Sequence, residues 1–488
     1  MIKEAYEAIQ RGEDVRQNLS LLRRELKDKS EPAEIDLDVI KELLYEEDPK
    51  TRKNAALLLG DLQAQEALLE LYHAYEKEEK NFVKSAYLAA MGKLDCTPYL
   101  DTFEKLCEKL CEMQPRVEDK KHVDEQVKEL EKILLRQRGI KKHKFNGFLK
   151  KNRVILTTNR DYREVTKREL TGVRTEDHPL GVLAETEDFN TLLMARTNRE
   201  ILFPLQCEHR MKADAAYIGK ELAASDLLSL LKKNHEGEEP FFFRLEIKSS
   251  MPLDKKAAFA KKIAQVIEDA TKRALINSTT DYEVELRLLQ NKEGTFFPCM
   301  KLYTLPMKRF SYRKNSIAAS IHPARAALIM QLAKPYFTEG AQVLDPCCGV
   351  GTMLIERNVL VPTGDMYGLD IYGEAVEKAR ENAKQAGVRI QYINRDFFDF
   401  THDYLFDEII TNMPVRGRKT KEEQDVFYQR FFAAAADHLK TGGYMILYSN
   451  EIGFVKKQLR LDSRYRMQQE YCIQKKDGYY IFIIVFKG

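Results

Sequence analysis

Asp345-Pro346-Cys347-Cys348-Gly349-Val350-Gly351-Thr352 sets a carboxylate, a proline and two turn glycines within eight residues. An apolar run over 341–344 precedes them and a helix-like segment over 353–358 follows. This reads as a buried strand feeding a tight loop and a helix N-terminus. Gly349 and Gly351 let the backbone turn sharply and approach a ligand closely. Open α/β sheets bind their ligands at this place, outside the carboxyl end of a central strand. A dinucleotide fingerprint has a third glycine at position 354, where Leu354 stands. Asp345 also places negative charge where a pyrophosphate would be repelled. A cofactor with a cationic amino-acid end suits the loop better, and S-adenosyl-L-methionine has one. A plain strand-to-helix turn would account for the two glycines alone; the rest of the C-terminal third argues against it.

Further acids follow at strand ends. Residues 366–371 read as a second strand ending in Asp370-Ile371, and 389–394 as a third, followed by Asp396-Phe397. Asp370 is placed to accept hydrogen bonds from two ribose hydroxyls. Asp396 is placed to accept from an adenine amino group, with Phe397 flanking the ring. His322 opens a helix before the first strand, as a cap or a cofactor contact. A fourth strand over 407–411 runs into Asn412-Met413-Pro414-Val415-Arg416-Gly417-Arg418. Then come a helix over 422–439, a strand over 444–449, and two strands, 465–474 and 479–486, joined around the hairpin dipeptide Asp477-Gly478.

This order resembles the class I S-adenosylmethionine-dependent methyltransferase fold, Rossmann-like with a terminal antiparallel hairpin. Within that resemblance, the Asp-Pro-x-Cys-Gly-x-Gly-Thr loop (here Asp345, Pro346, Cys347, Cys348, Gly349, Gly351) paired with Asn-x-Pro is similar to enzymes that methylate exocyclic amines of bases. Their commoner second motif is Asn-Pro-Pro and an aromatic residue. There the asparagine oxygen and a following carbonyl accept the two amine hydrogens and fix a poorly nucleophilic nitrogen for in-line transfer. The resemblance thus implies Asn412, Met413 and Pro414 as the catalytic set. Met413 replaces the first proline and gives up its fixed φ. Val415 replaces the aromatic that stacks on an extruded base. Arg416 and Arg418 are placed to meet RNA phosphates.

Positioning these groups requires more than the last third. Residues 154–303 alternate strands and helices, an α+β pattern. Strands are expected over 154–158, 180–185, 241–248, 282–289 and 296–303, with helices over 161–170 and 255–276 and a polar loop over 232–240. The runs Ala195-Arg196-Thr197 and Arg199-Glu200-Ile201-Leu202, the strand ending at Arg287, and the connector Met307-Lys308-Arg309-Phe310-Ser311-Tyr312-Arg313 resemble THUMP-containing RNA methyltransferases. That resemblance implies a domain gripping structured RNA, with Arg313, Val415, Arg416 and Arg418 toward the substrate. Guanine N2 in tRNA is the first substrate it implies, and ribosomal RNA a near alternative. Another amine, DNA adenine N6 or a protein side chain, stays open. So does a non-catalytic RNA-binding protein with a degenerate methyltransferase domain.

Residues 1–150 read as helical. Residues 48–62 align with 80–94 at an offset of 32, pairing Gly60 with Gly92 and Leu62 with Leu94. Helix pairs of this kind bury their apolar faces by stacking. They resemble a short HEAT-like array, a surface suited to a protein partner, with residues 1–40 as a divergent cap. A basic linker with Lys141, Lys142, His143, Lys144, Lys150, Lys151 and Arg153 interleaves Phe145 and Phe148, a composition suited to a phosphate backbone or to a solvated connection.

The expected organisation is therefore multidomain α and α/β: a helical repeat and linker over 1–150, a THUMP-like domain over 151–307, and a methyltransferase domain over 308–488. With 44% apolar and 32% charged residues and a net charge of +3, the 488-residue chain is globular, and nucleic-acid binding would need local patches. No run reaches the roughly 18–20 apolar residues of a membrane span. The eight cysteines are scattered, and Cys107 and Cys111 lack a second pair to complete a zinc site, so both are expected to be buried thiols. No metal and a reducing cytoplasm are the expectations.

Overall fold

The computed structural model describes residues 2–28, 35–113, 115–140, 142–238 and 240–488. They form two compact units, Met1–Lys141 and Lys142–Gly488.

The first unit is helical. Helices Val15–Asp28, Pro49–Asp61, Asn81–Met91 and Val117–Arg138 pack successively side by side. Leu68–Lys77 and Leu100–Glu112 follow the second and third of these. The repeat glycines explain the spacing. A Cβ on Gly60 would lie 2.6 Å from the Ala90 Cα of the next helix, and one on Gly92 would meet Ile133 of the following helix at 3.1 Å. Each glycine thus admits its successor in the stack, and Val117–Arg138 takes a third place that the sequence alignment did not show. Asp61 accepts hydrogen bonds from Arg23 Nε at 2.8 Å and from Lys93, tying three successive layers. Cys107 is buried, but Cys111, on the same face in the last turn of the helix, is exposed. Residues 29–34 of the expected cap and Lys141 of the expected linker lie outside the described residues.

In the second unit an eight-stranded sheet precedes the catalytic one. Its order is Arg174–His178, Gly181–Thr186, Asn152–Thr157, Ile201–Pro204, Phe296–Leu302, Val284–Gln290, Phe241–Lys248 and Leu275–Asn277. Helix Leu253–Ala270 ends before the expected 276. Lys272 and Arg273 take positive φ, and the chain turns back so that Leu275–Asn277 becomes an edge strand parallel to Phe241–Lys248. The polar loop expected over 232–240 begins instead in helix Leu227–Asn234 and strand His235–Glu236.

The linker reading changes for the same reason. Lys144–Phe145 pairs with His235–Glu236. Phe145 is buried against Phe148 and Phe189, with ring centroids 5.2 and 5.1 Å away. These aromatics are core and are not a stacking face for bases.

The last sheet has seven strands: β1 (Val343–Asp345), β2 (Met366–Asp370), β3 (Gln391–Asn394), β4 (Phe406–Asn412), β5 (Leu439–Ser449), β6 (Tyr465–Gln474) and β7 (Tyr479–Phe486). Their order is β3-β2-β1-β4-β5-β7-β6; β1 to β5 are parallel, and β7 is antiparallel to both neighbours. Helices α1 (Pro323–Ala333), α2 (Thr352–Leu360), α3 (Gly373–Ala386), α4 (Lys421–His438) and α5 (Ile452–Leu461) complete the layers. Strands buried on both faces read as near-continuous apolar runs, as Ile481 to Ile484 do.

Two buried ion pairs set the register of these layers. Arg357 of α2, fully buried, donates to both Glu408 carboxylate oxygens on β4 at 2.7 Å. Arg196 donates to both oxygens of the buried Glu356 of α2 at 2.8 and 3.0 Å, and Tyr312 Oη donates to the same carboxylate at 2.6 Å. The helix behind the glycine loop is thereby fixed to β4 on one side and to the preceding α+β domain on the other.

Candidate active site

β1 delivers Asp345 into a fully buried position at the head of the loop. Its Oδ1 accepts from the Cys347 amide at 3.1 Å, while Oδ2 is buried without a partner. Burial, with Asp370 nearby, pushes the carboxyl up to about 7. A buried acid with one orphaned oxygen fits a cationic group arriving from the cavity.

Gly349, at φ +53°, has open space beside its Cα, and its amide donates to Asp370 Oδ2 at 2.9 Å. Gly351 has another reason to be glycine. It caps α2 at φ +80°, does not line the cavity, and is covered by the Tyr392 hydroxyl, 2.1 Å from where a Cβ would sit. Close approach there is to β3, not to a ligand.

The loop opens into a cavity of about 1190 Å³ at the carboxyl ends of the parallel strands. Asp345, Pro346, Cys347, Gly349, Asp370, Ile371, Asp396 and Phe397 line it. Asp370 also accepts from the Tyr372 amide at 2.9 Å, and the adjoining Ile371 and Tyr372 are 60% and 67% exposed, an apolar shelf beside an acid. Asp396 caps a short turn by accepting from the Phe398 amide at 3.1 Å. Phe397 is buried against Phe431 and His438, so most of its ring belongs to the core. Cys347 and Cys348 have thiols pushed far up by burial and by the neighbouring Asp345 and Asp370, which keeps both protonated and unreactive.

Asn412, Met413, Pro414, Val415, Arg416 and Arg418 line the same cavity. Asn412 is the last residue of β4 and pairs in register with Tyr448 of β5. The Met413 amide donates to the Tyr448 carbonyl at 2.9 Å, and its side chain is buried in the core, so a sheet bond and packing hold the backbone where a proline would have stiffened it. Val415 is 55% exposed. Arg313 does not line this cavity; it lies in the connector, half-buried. His322 caps α1, its Nδ1 accepting from the Ala324 amide at 3.1 Å, and it also lines the cavity.

Several lining residues escaped sequence reasoning. Tyr448 and Tyr479 stack with centroids 5.0 Å apart at 22°. Tyr448 Oη donates to Gln474 Oε1 at 3.0 Å, and Gln474 Nε2 donates to Asp477 Oδ2 at 2.9 Å. An aromatic wall braced by the terminal hairpin thus stands beside Asn412. Arg199 and Arg325 reach the same space. Only the hairpin dipeptide hinted that residues near 477 would close a site.

The strand order, the antiparallel seventh strand and the loop with Asp345, Gly349 and Asp370 define a class I S-adenosylmethionine-dependent methyltransferase domain. Residues 317–483 match the methyltransferase small domain family. A tRNA (guanine(10)-N2)-dimethyltransferase of Methanothermobacter thermautotrophicus is 27% identical over 138 residues, 28% of this chain. The match spans 40% of that relative's length. The structure of TrmN from Thermus thermophilus superposes with a TM-score of 0.52 at 18% identity, covering 68% of this chain and 99% of that one. SMU.472, complexed with SAH, gives 0.53 at 16%, covering 69% and 98%. The shared fold therefore extends beyond the catalytic sheet. The cofactor of this domain is S-adenosylmethionine, and the orphaned Asp345 oxygen, the open Gly349 and the Asp370–Ile371 shelf fit it. Among the described residues no group of His, Cys, Asp and Glu is arranged to hold a metal, and no helix is long and apolar enough to cross a membrane.

Proposed function

We propose that this protein methylates an exocyclic amine of a base in structured RNA, with guanine N2 in tRNA as the first candidate. The observation that carries the reading is Asn412, which lines one cavity with Asp345 and Asp370 and is held at the end of β4 by its pairing with Tyr448. S-adenosylmethionine supplies an electrophilic methyl group. Asp345 and Asp370 orient its charged and hydroxylated parts. The Asn412 side-chain oxygen and the carbonyl after it accept the amine hydrogens, so the nitrogen lone pair is free to point at the methyl. Positioning lowers the barrier and no strong base is needed.

Two further supports come from outside the catalytic domain. The α+β domain, THUMP-like in its sequence, is locked to α2 through Arg196 and Glu356 and so presents RNA at a fixed place. The stacked N-terminal helices offer an extended surface for a protein partner. The name of the Methanothermobacter relative agrees with the guanine assignment.

The exposed Val415 favours one other reading, an RNA-binding protein whose methyltransferase domain no longer transfers. Incubation with radiolabelled S-adenosylmethionine, total small RNA and ribosomal RNA, then nucleoside mass spectrometry, separates the two. N2-methylguanosine is the expected product. Asn412→Ala should retain cofactor and RNA binding and lose transfer by about 10²–10³-fold. Absence of label from every RNA, with cofactor bound, would hand the case to the binding reading.

A further inference from the structure

The cavity carries charges of both signs. Asp345, Asp370 and Asp396 line it among the residues that fit the cofactor. Glu423 and Asp477, the other lining acids, accept from uncharged donors, the Thr420 amide at 2.7 Å and the Gln474 side chain at 2.9 Å, and Asp477 shares Tyr448 as a neighbour with Arg325. Arg199 and Arg325 line the same cavity, both close to His322. Among the described residues no carboxylate pairs with either arginine, or with Arg313 behind them, whose Nε is buried without a partner. His322 cannot balance this charge. Burial and the fields of Arg199, Arg313 and Arg325 push it down to about 4, so it stays neutral. Guanidinium groups held close together with no carboxylate in ion-pair contact favour an anion between them.

Arg199 is distinctive by origin. Every other described residue lining the cavity falls within 317–479; Arg199 alone comes from the α+β domain. Its backbone is fixed from below. The buried Arg309 guanidinium donates to the carbonyls of Asn198 at 2.8 Å and Arg199 at 3.2 Å, and the neighbouring Arg196 is pinned to Glu356. The side chain itself is exposed. Arg325 lies in the first turn of α1 close to Tyr448, the partner of Asn412.

We propose that Arg199 and Arg325 form a phosphodiester-binding site at the substrate mouth of the catalytic cavity. Through it the α+β domain holds the RNA backbone beside the nucleotide offered to Asn412. The proposal rests on the RNA-methylation reading for its purpose, but its binding arm stands apart from catalysis.

The test uses the full chain with Arg199→Ala, Arg325→Ala and Arg199→Lys. A fluorescently labelled tRNA transcript is titrated between 50 and 200 mM salt, and S-adenosylmethionine affinity is measured by calorimetry. Each alanine variant should weaken RNA binding about tenfold, and the salt slope should fall by roughly 0.7–0.9 for one lost phosphate contact. Lysine should restore most of the slope, and cofactor affinity should stay within twofold. Unchanged RNA affinity and slope would overturn the site. Weakened cofactor affinity would also overturn it, because the anion would then be the cofactor's own carboxylate. If the wild-type chain binds RNA through these arginines yet transfers no methyl, the function reading fails and this one survives.

Discussion

Replacing Asp345 with asparagine tests the cofactor end of the site. The folded protein holds this carboxyl at about 7, against 3.8 ordinarily. A folded-state value raised above the unfolded one means that the native protein keeps a proton the unfolded chain releases. Stability is therefore lost as pH rises from about 3.8, and the loss levels off above 7. The penalty works out at about 2 kcal/mol at pH 5 and about 4 kcal/mol at pH 8. Asp345→Asn removes the titration, so without cofactor its stability advantage over wild type should grow by about 2–3 kcal/mol between those pH values. For a unit of about 350 residues that is about 3–4 °C in melting temperature. Cofactor binding should move oppositely. Wild type should bind S-adenosylmethionine more tightly as pH passes 7 and the carboxylate forms, and the variant should bind weakly with no such rise. Thermal melts and calorimetry at pH 5 and 8 read both. A melting difference equal at the two pH values, or cofactor affinity indifferent to the substitution, would refute the reasoning.

Three shorter predictions follow from the same structure. Gly351→Ala forces a left-handed residue and drives a Cβ into the Tyr392 hydroxyl, costing about 1–3 kcal/mol in urea unfolding; Tyr392→Phe in the same chain should recover part of it. Glu356→Gln leaves Arg196 uncompensated between the α+β domain and α2 and should cost about 3 kcal/mol, with native-state hydrogen exchange rising first around 195–199 and 352–360. Tyr479→Ala removes the outer ring of the pair beside Asn412 and should raise the RNA KM about tenfold, while Tyr479→Phe keeps it near wild type; equal effects would show that the hydroxyl, not the ring face, matters.

The catalytic sheet was legible because its signals are local. Asp345 to Gly351 must turn within a few residues, Asp477-Gly478 must reverse the chain, and the intervening strands are short apolar runs. Gly351 makes the sharp turn expected of it, at φ +80°, but the group it makes room for is Tyr392 on another strand and not a ligand. Phe145 was misplaced because a two-residue strand carries no periodicity and its partner, His235–Glu236, is about ninety residues away. Helix Ile452–Leu461 was missed; Gly453 near its start and a narrow apolar face weaken the pattern. Arg199, Tyr448 and Tyr479 belong to three distant stretches, and nothing in the local composition of any of them marks a shared cavity.

The departures at Met413 and Val415 look different once the neighbours are in place. A proline before Pro414 would stiffen the backbone; here the Met413 amide, which a proline lacks, bonds the Tyr448 carbonyl, and its side chain fills the core. An aromatic at 415 would stack on a base; here the partly exposed Tyr479, stacked on the buried Tyr448, offers an aromatic surface nearby. On the base-methylation reading, both changes would transfer a task from the Asn-x-Pro segment to β5 and β7. If the base rests on Tyr479, shortening the hairpin side chains should damage RNA turnover more than any substitution at Val415. Val415→Tyr should then fail to improve wild type yet partly rescue Tyr479→Ala. Failure of Val415→Tyr to rescue Tyr479→Ala, with the proteins folded and cofactor-bound, would place the base elsewhere in the cavity.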